Sequence, residues 1–378
     1  MLKNSYDVII VGAGPSGCSC AYNLKRKNPE LSILLIDKAI FPRYKPCGGG
    51  ISPEVSNYFD FDLSPAIDYR CKSIIMLANG KALETTKHEL WLVRREVFDQ
   101  FLLEKAQAIG VDSLTDCEVL NVEQQLNHTE VTSDKGNYFA KVVVIAEGSR
   151  GKLAKKLGIL PQSNILAAIE YEHYTTNLDG KLYIDFDYND SGYAWNFPKS
   201  DGLSLGIGGF LKGQAKGNVS LPKKLQQYVQ QFSVDKLDKA NMHGHPIALY
   251  SGRQQLVYGS IMLIGEIAGC VDPLTAEGIR PAIKSGFLAA QQISQNLKNN
   301  KLDQLKTYQK EFHQQIGKDM QYARLMSYFL NQYLPKIVPL INNHRAIDAF
   351  LQVFSGKSTY KEQLGIRRIS KLLFKSLF

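Results

Sequence analysis

Gly12, Gly14 and Gly17 stand in the run Val11-Gly12-Ala13-Gly14-Pro15-Ser16-Gly17, and an acid, Asp37, follows Gly17 by twenty residues. Glycines at this spacing handle phosphate with backbone rather than side chains. The first permits a tight turn, the second lets the main chain approach a pyrophosphate with no Cβ in the way, and the third lets a helix pack close to a strand. Where Pro15 and Ser16 open a helix, its free N–H groups and partial positive charge face the same phosphates. Asp37, with Lys38 beside it, then accepts hydrogen bonds from ribose hydroxyls. A lone G-x-G-x-x-G is a weak signal. A strand before it, a helix after it and an acid ending the next strand make it a dinucleotide fingerprint. A glycine turn with no ligand is the competing reading. NAD and FAD share the fingerprint, and a second nucleotide-contacting segment favours FAD.

Such a segment lies far downstream. Leu263-Ile264-Gly265-Glu266-Ile267-Ala268-Gly269-Cys270-Val271-Asp272-Pro273-Leu274-Thr275-Ala276-Glu277-Gly278-Ile279 reads as an apolar strand, a glycine turn, a proline and a helix opening near Glu277. Nearer the first turn, Phe41-Pro42-Arg43-Tyr44-Lys45-Pro46-Cys47-Gly48-Gly49-Gly50 gathers cations and glycines around one cysteine. Cys47 is either a reactive thiol or a small residue packed in a turn. Tyr193, Trp195 and Phe197 alternate along one strand face, which suits a core or the wall of a cavity for an apolar ligand. Their stop at Pro198 favours the wall. His243 and His245 form a close pair with no third ligand evident, which reads as a loop rather than a metal site, and no metal is expected.

These segments resemble the geranylgeranyl reductase family, within the large group of hydroxylase-like flavoproteins. That family carries G-D-A-A-G followed by P-x-x-G-E-G-I, to which the run from Gly265 to Ile279 is similar. The ten residues from Phe41 resemble its F-P-R-x-K-x-C-G-G motif. Arg95-Glu96-Val97-Phe98-Asp99 resembles its R-x-x-F-D helix start. Gly192-Tyr193-Ala194-Trp195-Asn196-Phe197-Pro198, followed by Leu205-Gly206-Ile207-Gly208, resembles its Y-x-W-x-F-P strand. The motifs stand in the family's order, and the likeness spans about residues 6–290.

The resemblance implies an FAD-dependent oxidoreductase. It places Arg43, Lys45 and Arg95 near the flavin nucleotide, with Arg95 a candidate for the pyrophosphate. Cys47, Gly48, Gly49 and Gly50 fall beside the isoalloxazine ring, and Gly148 lies in the A-D-G segment, here Ala146-Glu147-Gly148. Glu266 is expected at a ribityl hydroxyl, and Gly278 and Ile279 at the ring's pyrimidine edge. Tyr193 and Trp195 are expected to face the substrate and, with Cys47, are the catalytic candidates. Four departures bear on substrate more than on FAD: Glu266 where Asp is usual, Glu147 in the A-D-G segment, Gly151 where Ser is common, and Thr275-Ala276-Glu277 for T-G-E. The implied reaction is reduction of carbon–carbon double bonds in an isoprenoid lipid or lipid precursor. Hydride comes from flavin and a proton from a protein acid or water. One complete G-x-G-x-x-G is present, so the electron donor is NAD(P)H bound transiently, or a ferredoxin. The Tyr193 segment also resembles the halogenase W-x-W-x-I-P motif with Tyr for the first Trp. A flavin monooxygenase or halogenase is therefore the alternative enzyme, and a lipid-binding flavoprotein without turnover is a third reading.

The elements that must position these residues follow from periodicity. Residues 6–11 and 32–37 read as buried parallel strands, and a helix from Pro15 to about Lys27 joins them into a βαβ unit. Residues 71–93 read as short antiparallel strands around Asn79-Gly80. A helix follows from about Arg95 to Ile109, with Val97, Phe98, Phe101, Leu102 and Ala106 on its buried stripe. Residues 117–145 read as a β-meander, 165–212 as strand-rich, 261–264 as a buried strand, and about 277–297 as a helix. The expected fold is α/β: a Rossmann-type FAD-binding domain with an inserted antiparallel β-sheet substrate domain and a helical C-terminus. Its segments are 1–75, 94–160 and 255–300 for the discontinuous FAD-binding domain, 76–93 and 161–254 for the β-rich substrate domain, and 301–378 for the helical region.

The 378 residues are 44% hydrophobic and 21% charged, ordinary for a globular chain, and the net charge is 45 − 36 = +9. The positive charges are scattered until the C-terminus and form no nucleic-acid motif, so anionic small molecules fit the balance better. Six cysteines form no C-x-x-C pair, which suits a reduced cytoplasmic protein. The apolar run at residues 8–11 is too short for a signal peptide and ends in glycines. No stretch reaches the roughly 18 apolar residues of a spanning helix. Residues 364–378 are basic, with Ile366, Ile369, Leu373 and Leu377 on one helical stripe. A terminal helix docked on the core is the favoured reading there, and a helix lying peripherally on the inner membrane surface is the sharper alternative.

Overall fold

Apolar runs too short to be stable helices and rich in β-branched residues build three sheets in this computed structural model. It describes residues 3–188, 192–210, 220–234, 237–299, 301–328 and 344–364. The expectations for the tail beyond residue 364 lie outside them. The strands are β1 (Ser5–Val11), β2 (Ile33–Ile36), β3 (Gly50–Ile51), β4 (Tyr69–Cys71), β5 (Ser73–Ala78), β6 (Lys81–Thr85), β7 (Leu90–Leu92), β8 (Asp112–Leu114), β9 (Val119–Gln124), β10 (Thr129–Ser133), β11 (Gly136–Ile145), β12 (Asn164–Tyr174), β13 (Lys181–Asp185), β14 (Gly192–Lys199), β15 (Gly202–Phe210), β16 (Met242–Leu249), β17 (Val257–Tyr258) and β18 (Ile261–Leu263). The helices that matter for the site are α1 (Pro15–Lys27), α2 (Arg95–Ala108), α3 (Lys152–Lys156), α4 (Leu221–Val229) and α5 (Ile279–Lys298).

The first sheet runs β17-β18-β11-β1-β2-β8, and its five strands from β18 to β8 are parallel. Each parallel partner needs a crossover, and α1 supplies the one between β1 and β2. All four residues of β2 are buried, as helices on both faces demand. β11 is long enough to serve twice. Its first half pairs antiparallel with β10 and its second half parallel with β1 and β18. The second sheet runs β16-β12-β15-β14-β13-β5-β6 and is antiparallel except at β13–β5. Ser73–Ala78 lies wholly within it. A small third sheet, β3-β7-β4, joins the two regions. The architecture is thus the expected mixed α/β fold.

α5 lies on α1 at near-backbone distance. A Cβ on Gly286 would stand 2.2 Å from the Ser16 carbonyl oxygen, and Ser19 Oγ donates to Ile283 O at 2.8 Å. This crossing binds the two glycine turns into one body. Two expectations are corrected. Val97 is 47% exposed. The 3.6-residue repeat runs through Arg95, Phe98, Asp99, Leu102 and Ala106, all buried, and Val97 falls off that face. α5 begins at Ile279 rather than near 277. Asp272 Oδ1 accepts from the backbone N–H of Leu274 and Thr275, and Ala276 takes a left-handed φ of 57°, so the chain turns before the helix can start. Residues 344–354 form a helix whose Phe354 packs against the second sheet beside Trp195 and Phe197. Among the described residues no helix is long and apolar enough to cross a membrane.

Candidate functional site

The first glycine turn is set by crowding. Gly12 has φ +109°, and a Cβ there would lie 2.4 Å from the Ala146 carbonyl oxygen at the end of β11. A Cβ on Gly17 would lie 1.9 Å from Gly12 O, so this residue serves helix packing and does not line the cavity described below. Gly14 differs from both. It precedes α1 with φ −75°, and a Cβ there would meet only Arg43 Nη2, at 3.6 Å. The space over Gly14 is open, as a turn shaped for a phosphate requires. No side chain caps α1, so its first N–H groups keep capacity for an anion. Asp37 fastens the turn, accepting from Ala13 N at 2.7 Å and from Ala39 N at 2.8 Å through separate oxygens. Each oxygen retains a lone pair for a hydroxyl.

The second turn meets the first. A Cβ on Gly265, whose φ is +73°, would lie 2.4 Å from Ser16 Oγ. Glu266 accepts from Ala248 N at 3.0 Å through one oxygen, and its other oxygen is 3.6 Å from Lys45 Nζ. Gly278 precedes the first turn of α5 without a side-chain cap.

Three cations gather at the junction. Arg95 is bidentate to Asp99 at 2.8 and 2.7 Å, and Arg43 Nη2 reaches the same carboxylate at 2.9 Å. Asp99 is fully buried. Burial alone would raise its carboxyl, but Arg95, Arg43 and Lys45 outweigh that and hold it below the usual range. Burial, reinforced by Arg95, pulls the Lys45 ammonium down against the opposing Glu266 and Asp99. Arg43, Lys45 and Arg95 against Asp99 and Glu266 leave one net positive charge, which suits an anionic ligand.

The loop that carries Cys47 is pinned from below. Lys199 is 1% exposed and donates to Gly48 O at 2.8 Å and Val93 O at 2.9 Å. A Cβ on Gly49, at φ +72°, would lie 2.0 Å from Val93 O. Cys47 N donates to Glu170 Oε1 at 2.8 Å, and Cys47 Sγ accepts from Gly49 N at 3.4 Å. Above the loop, Tyr193, Trp195 and Phe197 follow one another at ring-centroid distances of 6.2 and 6.4 Å. Trp195 lies directly over Gly206, its cross-strand partner, where a Cβ would stand 2.0 Å from Trp195 Cζ2. The Tyr193 hydroxyl donates to Thr275 O at 2.7 Å, and burial raises its phenol, so it stays protonated and engaged.

One cavity of about 890 Å³ joins these parts, a volume within the range of cofactor and ligand sites. Its wall includes Gly12, Gly14, Pro15, Ser16, Asp37, Lys38, Arg43, Lys45, Cys47, Gly48, Gly49, Arg95, Gly148, Glu266, Gly278 and Ile279, together with Tyr193 and Trp195. His243 and His245 also line it, and they correct an expectation, since both sit on β16 rather than in a loop. β16 is an edge strand of its sheet, where the intervening Gly244 and Pro246 are tolerated. Burial, with Lys45, Arg150 and Arg95 nearby, pulls His245 down to about 4, and it bonds Ser149 Oγ at 3.1 Å. Among the described residues no group of three or more His, Cys, Asp or Glu stands close enough to hold a metal.

Sequence reasoning missed Asp99, Lys199 and Glu170. Asp99 follows Arg95 by four residues on a helix, a spacing that by itself suggests a pair. Glu170 and Glu172 are two acids on one face of an otherwise apolar strand, and both are buried. Buried acids in such a place call for partners or a function.

A family profile described as pyridine nucleotide-disulphide oxidoreductase matches residues 9–174. A digeranylgeranylglycerophospholipid reductase of Methanococcus aeolicus is 24% identical over 88% of this chain and 90% of its own length. A geranylgeranyl diphosphate reductase of Rhodobacter capsulatus is 27% identical over 85% of this chain and 83% of its own. Among solved structures, a geranylgeranyl bacteriochlorophyll reductase-like protein of Thermoplasma acidophilum superposes with a TM-score of 0.79 at 21% identity, covering 96% of this chain and 98% of that one. A flavin-dependent brominase superposes with a TM-score of 0.76 at 18% identity, covering 98% and 99%.

Proposed function

We propose that the chain is an FAD-dependent oxidoreductase of geranylgeranyl reductase type and that it hydrogenates carbon–carbon double bonds of an isoprenoid lipid or lipid precursor. The observation that carries the reading is the continuity of one cavity from the open turn at Gly14 to the aromatic wall of β14, with Gly48 packed on Phe197 along the way.

The residues fit the dinucleotide. Gly14, the uncapped start of α1, and the Arg43–Lys45–Arg95 cluster would hold the pyrophosphate. Asp37 would take the ribose hydroxyls and Glu266 the ribityl chain. The uncapped start of α5 at Gly278 and Ile279 would favour negative charge at the pyrimidine edge. The bound flavin supplies hydride. Lys199 and Gly49 keep the Cys47 loop in place, and Cys47 is a candidate acid or ring-tuning group there. Trp195, Phe197 and the Tyr193 ring offer the apolar, water-poor surface that an isoprenoid chain needs. The electron donor is NAD(P)H bound transiently or a ferredoxin.

Anaerobic incubation of the reduced protein with polyprenyl lipids and diphosphates of several lengths tests the reading. The expected product gains the mass of two hydrogens for each double bond reduced. No gain at any chain length rejects it, and NADPH oxidation coupled to oxygen incorporation turns it into the monooxygenase alternative. Mass spectrometry of lipids that copurify with the protein identifies the substrate class independently.

A further inference from the structure

We infer that Glu170 is the proton donor of this cavity and that Tyr44 connects it to solvent. The inference rests on the reductive reading above and assigns the acid which that reading leaves open. Saturating a carbon–carbon double bond takes one hydride and one proton. Reduced flavin provides the hydride. The Glu170 carboxyl O–H breaks as the second C–H bond forms, leaving a carboxylate. That carboxylate recovers its proton through the Tyr44 hydroxyl in one concerted relay, the phenol passing its proton inward as water gives it another, so no tyrosinate forms.

Geometry places Glu170 for this work. It lines the cavity on β12 and is 2% exposed. Its Oε1 accepts from Cys47 N at 2.8 Å, which ties it to the loop expected beside the flavin ring. The same oxygen accepts from Tyr44 Oη at 2.8 Å, and Tyr44 is 44% exposed, so one hydrogen bond separates a buried acid from water. Its Oε2 is 3.4 Å from Ser204 Oγ, which in turn is 3.4 Å from Trp195 Nε1 in the aromatic wall.

The other acids of the cavity wall are engaged elsewhere. Asp37 and Glu147 each accept two backbone N–H bonds, Glu266 accepts from Ala248 N and faces Lys45, and Glu118 and Glu277 are paired with Lys152 and Arg280. Glu170 has no ion-pair partner within salt-bridge distance among the described residues. The groups that face it are Glu172 on its own strand, Tyr44 and Cys47 of the loop, Lys199 of β14, Ser204 of β15 and His243, its cross-strand partner on β16. Burial and then Glu172 raise its carboxyl to about 7, against the Tyr44 and Cys47 hydrogen bonds and Lys199, so near neutrality it both holds and releases a proton.

Two measurements test the assignment. Infrared difference spectra of the flavin-free protein should show the C=O stretch of a protonated carboxyl that disappears around pH 7 in the unaltered chain and is absent in Glu170→Gln. In the loaded protein, Glu170→Gln should lower kcat for alkene reduction about a hundredfold or more with KM little changed, and should abolish the fall in kcat above pH 7. Tyr44→Phe should slow turnover by a smaller factor and enlarge the solvent isotope effect. A Glu170→Gln protein with unaltered kcat and pH profile overturns the inference. So does a carboxyl stretch that fails to titrate in the unaltered chain, a readout that stands even if the variant folds poorly. If the titrating carboxyl is present but no polyprenyl substrate is reduced, the isoprenoid reading fails and the acid assignment survives.

Discussion

Gly12 approaches the carbonyl of Ala146 so closely that a Cβ on residue 12 would stand 2.4 Å from the oxygen, whereas a Cβ two residues on, at Gly14, would meet nothing nearer than 3.6 Å. The first glycine answers to the fold, and the second faces open space. Gly12→Ala should destabilise even the flavin-free protein by about 2 kcal/mol or more, since the residue must also hold a φ that Ala resists. Gly14→Ala should leave flavin-free stability within about 0.5 kcal/mol and weaken FAD binding instead. Urea unfolding of both apoproteins and fluorescence titration with FAD separate the two. Equal losses of stability would show that Gly14 is also structural.

Asp99 serves two guanidiniums from a fully buried position. Asp99→Asn removes the carboxylate that both Arg95 and Arg43 pair with and leaves a neutral amide in its place, and removal of one member of a buried pair typically costs about 3 kcal/mol. The loss should be smaller with FAD bound, because a pyrophosphate restores an anion to both cations. Unfolding free energies of apo and loaded variant check this, and equal losses in the two states would place the pyrophosphate elsewhere.

Glu170 also writes a pH dependence into stability. Its folded carboxyl titrates at about 7, above the ordinary 4.5, so the folded chain holds the proton more tightly than the unfolded chain. The stabilisation is complete below pH 4.5 and is lost as pH rises through 7, a change of about 3 kcal/mol at most. Urea midpoints at pH 5 and pH 8 should therefore fall more in the unaltered protein than in Glu170→Gln, whose amide does not titrate. Parallel pH curves for the two proteins would show that Glu170 is ionised throughout.

The seat of Trp195 is Gly206. An added methyl would stand 2.0 Å from the indole, so Gly206→Ala must move the ring, at a cost of about 1–3 kcal/mol. The chain has two tryptophans, and in a Trp91→Phe background the emission reports Trp195 alone. The variant should shift that emission and alter the preferred length of the apolar substrate. An unchanged spectrum would mean that β15 gives way instead.

The two glycine turns were legible because their geometry is set by backbone. Gly12, Gly17 and Gly265 are forced by contacts shorter than any side chain allows, and such demands appear directly as residue types at fixed spacing. Tyr193 and Trp195 were legible as a face because strand periodicity alone places them together. Val97 was misread because five apolar positions were assigned to a helix face on which Arg95 and Asp99 hold two of the buried places.

What the chain order determined, then, is the α/β framework, the two glycine turns and the aromatic strand, each encoded within a few neighbouring residues. What tertiary structure alone decided is which distant groups meet. Glu170 touches Cys47 across 123 residues, Lys199 holds Gly48 across 151, and Arg43 shares an aspartate that local spacing assigns to Arg95 alone. The physical reason is that a buried charge is tolerated only where several separate segments converge to solvate it, and convergence is a property of packing that no local pattern records.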